Sequence, residues 1–207
     1  MLARIRRANR RTGAAASAAA AWVGVSRGYQ TRGEMNSEAT LELLEERLID
    51  YDAGVYPASE ATVGDVIRLV LAARRVTRCL IPAGIPAEWL VGAEFVLDRE
   101  LSVADLDGFG AVMTGATLAI AETGTIVLQG VVGQGRRVAT LIPDYHLCVV
   151  RTKDVVETVV EATRLLQATC TLPTTYFSGP SATADIEMTR IKGVHGPRFL
   201  DVILVSE

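Results

Sequence analysis

Cysteine is scarce in this 207-residue chain: Cys79, Cys148 and Cys170 are the full set, and no two share a CxxC or other close spacing. An iron–sulfur cluster usually needs four thiolates, often in tight runs, so the chain alone is not expected to hold one. A disulfide framework is not expected at this size and cysteine count, and buried, reduced thiols in a cytoplasmic protein are the better reading. Long apolar runs are also missing. The Ala-rich stretch 13–25 is weakly hydrophobic and too short to span a bilayer, and no other segment is long and apolar enough. A net charge of −3 gives no strong attraction to nucleic acid or acidic membranes. Histidine occurs twice, at His146 and His195, without a short-spaced pair. A zinc site built from these two and Asp144 is therefore poorly supported. Neither Walker A nor Rossmann spacing is present, and no internal repeat is visible.

Against these absences stands an apolar content of 49%, ordinary for a globular protein with a real core. The length fits one domain with an N-terminal addition. Charge is distributed unevenly. Seven arginines and no acid precede Glu34, and from Glu34 onward there are 14 basic and 24 acidic residues. We read residues 1–36 as a basic N-terminal arm and linker, and 37–207 as an α/β domain. Arg10-Arg11 before an apolar stretch mimics a twin-arginine signal; the alternative is a helical arm with an Ala-rich linker.

Local patterns supply the elements. LARIRRA at 2–8 could begin an amphipathic helix. Asn36 or Ser37 is a plausible N-cap for a helix whose Leu41, Leu44 and Leu48 share a face, with Glu38 in the first turn. A second helix is expected from about Ser59, with Val63, Val66, Ile67, Val70 and Leu71 as its stripe. Strands are expected at 77–81, 94–97, 111–113, 117–120, 125–128, 138–142, 147–150, 175–177 and 201–205. Short helices are expected at Pro86–Trp89 and Leu101–Leu106, and a longer one at 154–167. Helices alternating with short continuous apolar strands predict an α/β/α sandwich around a mostly parallel sheet.

In such sheets ligands bind beyond the carboxyl ends of strands. Four segments put glycine, hydroxyls and charges near strand ends. Glu122-Thr123-Gly124 offers a candidate base or nucleophile in Glu122, with a backbone that lets a ligand approach; a hairpin turn is the simpler reading. The glycine loop 130–137 ends in Arg136-Arg137, two candidate clamps for a carboxylate or phosphate; a solvated loop is the simpler reading. His146, after Asp144 and Tyr145, is a candidate general acid/base, or a turn histidine packed beside Tyr145. The stretch Ser178-Gly179-Pro180-Ser181 to Asp185, with His195 and Arg198 beyond it, offers an anion nest, or turn chemistry before the last strand.

ETGTIVL at 122–128, the Arg136-Arg137 loop, LIPDYHLCVV at 141–150, SGPSATADIE at 178–187 and VHGPRFLDVILV at 194–205 resemble the lactate-utilisation C (LUD-domain) family in wording, order and spacing. LARIRRA and VSRGYQTRG resemble that family's start. The resemblance implies a fold similar to the phosphosugar-isomerase and CoA-transferase group and a cytoplasmic location. It also implies membership of a three-part system that oxidises lactate to pyruvate, whose other two subunits carry iron–sulfur clusters. The resemblance establishes no catalytic residue. From the residues, Glu122, His146 and His195 are the catalytic candidates. Thr123, Gly124, Arg136, Arg137, Ser178, Gly179, Ser181 and Arg198 are the candidates for holding substrate. No cofactor is expected in this chain. Three readings follow: a non-redox subunit of a lactate-oxidising complex, a stand-alone enzyme acting on a small anion, or an interaction module docking through its basic arm.

Overall fold

The computed structural model describes residues 2–8, 15–26, 28–183, 191–193 and 195–207. Arg10, Arg11, Gly13, Arg27, Asp185 and Val194, which the sequence reading used, lie outside them. Two compact units are present, Met1–Gln30 and Thr31–Glu207. The first contains helices α1 (Leu2–Ala8) and α2 (Ala15–Val23). Alanine's high helix propensity accounts for the second.

In the second unit the order is α3 (Ser37–Asp50), β1 (Gly54–Ser59), α4 (Val63–Ala73), β2 (Arg78–Ile81), β3 (Glu94–Leu97), α5 (Val103–Asp107), β4 (Ala111–Gly115), β5 (Leu118–Ile120), β6 (Thr125–Gln129), α6 (Arg137–Leu141), β7 (Tyr145–Arg151), β8 (Val155–Val156), α7 (Val159–Leu166), β9 (Thr174–Phe177), β10 (Ala182–Thr183), β11 (Ile191–Lys192) and β12 (Phe199–Ser206). The caps follow from sequence chemistry. Asn36 accepts from the Ala39 N–H, as its N-cap position predicts. Ser102 with Asp105, and Thr158 with Glu161, close reciprocal capping boxes on α5 and α7.

The main sheet has six strands in the order β1-β12-β7-β4-β2-β3, and every neighbouring pair is parallel. The expected α/β class and parallel sheet are therefore present. Strand alternation divides its residues between two faces. Met113, Leu147, Val149, Ile203 and Val205 pack with Val63, Ile67, Val70 and Leu71 of α4. Cys148, Val150, Leu200, Val202 and Leu204 pack instead with Leu44 and Leu48 of α3 and with Ala119, Ile126 and Leu128. Those last three belong to a second sheet, ordered β8-β5-β6-β9, that covers part of this face. Its far side packs on Ala162 and Leu166 of α7. The sequence reading did not separate this second sheet from the first, because its strands carry the same continuous apolar runs.

Three expectations are corrected. Residues 138–142 are not a strand: α6 occupies them, and Ala139 packs against Leu80, Leu106 and Val112. A short apolar run does not distinguish the two by periodicity. The helix expected over 154–167 begins at Val159, since Val155–Val156 pair with Ala119–Ile120. The β1 strand was not foreseen because Gly54 and Pro57 interrupt its apolar pattern. Pro57 is tolerated there because β1 lies at the sheet edge.

One charge sits inside the core. Asp201 is fully buried on β12 and receives two bonds from Arg74, at 2.8 and 2.7 Å, and one from the Tyr145 hydroxyl at 3.0 Å. Gly54 is its register partner on β1, where any Cβ would collide with the Asp201 carboxylate.

Candidate functional site

A cavity of about 310 Å³ lies where β9 ends and the segment leading into β12 passes over the main sheet. His146 is the second residue of β7 and pairs in register with Val112 of β4 and Leu200 of β12. The cavity therefore adjoins the amino ends of the main-sheet strands, not the carboxyl ends expected from the sequence. The carboxyl end of β9 supplies the opposite wall through Phe177, Ser178 and Gly179.

His146 is 3% exposed. Its Nε2 lies 2.8 Å from the Thr114 hydroxyl, and its ring stands 5.3 Å from that of Phe177 at a tilt of 43°. Asp144 faces Arg198 instead, at 3.4 Å. Burial holds the imidazole neutral, pushing its pKa down to about 4. Among the described residues Nδ1 meets no partner, and it is not one of the fully occluded unpaired atoms, so it opens onto the cavity the ring lines. Beneath it, Cys148 is buried, with its Sγ 3.8 Å from the Thr114 hydroxyl. Burial pushes that thiol up to about 12, which keeps it protonated and inert.

Arg137 lies at the cavity rim and is exposed. It has no carboxylate partner among the described residues. Its neighbour Arg136 differs entirely. Arg136 makes two bonds to Asp98, at 2.6 and 2.8 Å, and a third to the Leu101 carbonyl at 2.5 Å. The hydrogen-bonded guanidinium holds the Asp98 carboxyl below its usual range. Arg136 is thus a structural strut, while Arg137 meets no carboxylate among the described residues.

The hydroxyl groups are arranged in a chain. Thr123 meets Thr125 at 2.7 Å, and Thr125 meets Ser178 at 2.7 Å. Ser178 faces the cavity; Thr123 does not line it. The Ser181 hydroxyl accepts from the His195 backbone N–H at 3.1 Å, joining the two loops that carry them. Gly179 takes a left-handed φ of 80° against Tyr51, a turn that only glycine adopts without strain.

Of the residues singled out from sequence, the structure gathers Arg137, His146, Ser178, Gly179, Ser181 and His195 around one cavity. It does not bring the others there. Glu122 accepts from the Val159 N–H at 2.6 Å and so caps the start of α7, which corrects its reading as base or nucleophile. Gly124, at φ 57°, makes room for Arg47 of α3 and not for a ligand. Arg198 extends over the surface to Asp144, 3.4 Å away. Among the described residues no three His, Cys, Asp or Glu side chains are grouped to hold a metal ion, so the zinc arrangement is not formed.

The LUD domain pattern matches residues 97–205, the stretch that supplies every one of these cavity residues. The chain belongs to the LUD domain family. It is 44% identical over 182 residues to a Deinococcus radiodurans protein named "Lactate utilization protein C", covering 86% of this chain and 85% of that one. It is 38% identical over 101 residues to the Halalkalibacterium halodurans protein of the same name, and 35% identical over 101 residues to that of Bacillus subtilis. Those matches span only 44% and 42% of the relatives' lengths. Among solved structures, a DUF162 family protein from Deinococcus radiodurans superposes with a TM-score of 0.73 at 41% identity, over 83% of this chain and 99% of that one.

Within this LUD domain, Thr114 and Phe177 are the positioning residues that sequence reasoning missed. Both sit in strands, where an apolar-run reading treats them as core. Thr114 pairs in register with Cys148 and reaches His146 diagonally, and Phe177 meets the ring from β9, relationships visible only in three dimensions.

Proposed function

We propose that this chain is a non-redox subunit of a bacterial system that oxidises L-lactate to pyruvate in the cytoplasm, together with two iron–sulfur partner subunits. Its cavity holds the small carboxylate. The observation that carries this reading is the unpaired Arg137 guanidinium beside the neutral, buried His146, in a chain whose Deinococcus relative is named for lactate utilisation.

The chemistry is that of binding. A guanidinium without a carboxylate partner holds a carboxylate through charge-assisted, bidentate bonds. A neutral imidazole with an open nitrogen either accepts a hydroxyl proton bond or donates to a keto oxygen, so it suits both lactate and pyruvate. Ser178 and Ser181 add hydroxyl groups that follow the ligand's oxygens. Electrons leave through the partners, whose clusters supply what a chain with three scattered cysteines does not.

Genetics tests this directly. Deleting the gene should abolish growth on L-lactate as carbon source and leave growth on pyruvate intact. The wild-type gene should restore growth, and Arg137→Ala should not. The tagged protein should co-purify with iron-containing partners. Undiminished growth of the deletion strain on L-lactate would overturn the proposal.

A further inference from the structure

Beside the first cavity lies a second of about 420 Å³, and the two share Arg137, Thr140 and Thr175. The walls of the second include Leu128, Val131 and Pro173, and the buried polar residue Gln134 lines it as well. Gln134 is only 7% exposed, and its Oε1 accepts from the Gln129 N–H at 2.6 Å and from the Thr117 hydroxyl at 2.9 Å. Both partners donate, so the amide orientation is fixed: the oxygen faces the loop and the amino group faces away. Among the described residues no hydrogen bond engages Nε2, and Gln134 lines the cavity. A buried amide held by two bonds thus lines this cleft beside Arg137, which meets no carboxylate among the described residues.

Lactate held at Arg137 in the first cavity leaves the second unfilled. Cavities of about 300–1,000 Å³ enclose drug-sized ligands, and a three-carbon acid has six non-hydrogen atoms. We propose that the two cavities form one cleft that binds 2-oxo and 2-hydroxy acids bearing an apolar tail of roughly four to eight carbons, the span two adjoining pockets of this size accommodate. The carboxylate sits at Arg137, the tail fills the lobe of Leu128, Val131 and Pro173, and Gln134 Nε2 donates to a ligand oxygen. This rests on the carboxylate-binding reading of Arg137 and adds the substrate class.

Isothermal titration of the full chain with 2-oxooctanoate and with pyruvate tests it. The longer acid should bind at least about tenfold more tightly, since two buried methylenes already give that factor. Gln134→Glu keeps an oxygen for Gln129 and Thr117 but removes the donor, and Val131→Phe fills the lobe from a partly exposed position. Val131→Phe should collapse the preference towards unity, whereas Gln134→Glu should weaken both acids, because they share the same head-group oxygens. Equal affinity of the wild type for both acids, or a preference that survives Val131→Phe, overturns the cleft while leaving the carboxylate site standing. Binding of neither acid by the wild type overturns both.

Discussion

The Thr114 hydroxyl stands 2.8 Å from His146 Nε2, and this one contact fixes which ring nitrogen faces the cavity. The two residues lie on adjacent parallel strands, with Thr114 in register with Cys148, two residues beyond His146 on β7. The histidine is thereby both buried and oriented.

That burial makes stability depend on pH. The folded-state pKa of His146 is about 4, below its unfolded value near 6.5. Between these values the unfolded chain binds the proton and the folded chain does not, so stability rises with pH across the window. The contribution is fully present above pH 6.5 and is lost as pH falls towards 4, with a total of roughly 3 kcal/mol. His146→Gln should flatten the pH dependence of urea unfolding in that window. An unaltered slope would show that the imidazole titrates normally in the fold.

Adjacent arginines should behave oppositely. Arg136→Ala removes three bonds, one to the main chain and two to the nearly buried Asp98 carboxylate, and should cost about 1–2 kcal/mol after allowance for the exposure of Arg136 itself. Arg137→Ala should leave unfolding free energy within about 0.5 kcal/mol of wild type, as surface changes do. Denaturant titration of both variants checks the contrast.

Removing Arg74 leaves the Asp201 carboxylate buried without its cation. Arg74→Ala should therefore destabilise by about 3–5 kcal/mol, the cost of breaking rather than replacing a buried pair. A loss under 1 kcal/mol would mean that Tyr145 alone satisfies the charge.

Thiol reactivity should sort the cysteines by burial. Cys79 and Cys148 are buried, and burial pushes both thiols up to about 12, whereas Cys170 is exposed. An alkylating reagent should modify Cys170 alone in the folded protein and all three after denaturation, as peptide mass analysis would show.

Much of this was legible in the sequence, for physical reasons that can be named. The Asn36 cap, the Leu44–Leu48 stripe and the apolar runs of β4, β6, β7 and β12 are local signals, and they appear where read. His146, Ser178, Ser181 and His195 were selected as polar residues at strand ends, and the structure brings these four around one cavity. What did not show was partnership. Nothing in the pair Arg136-Arg137 tells which guanidinium will find Asp98, 38 residues away. Nothing in Glu122 reveals that α7 begins beside it. The amino-end position of the cavity was equally hidden, because it depends on the second sheet covering one face of the first.

The central claim, a carboxylate held at Arg137, is tested most directly by titrating pyruvate into the full chain and into its Arg137→Ala and Arg198→Ala variants. The structure predicts that loss of Arg137 weakens binding by roughly 1.5–3 kcal/mol, the scale of a charged hydrogen bond. Arg198→Ala should match wild type, because Arg198 faces Asp144 on the surface. Equal affinity of the wild type and Arg137→Ala would contradict the account.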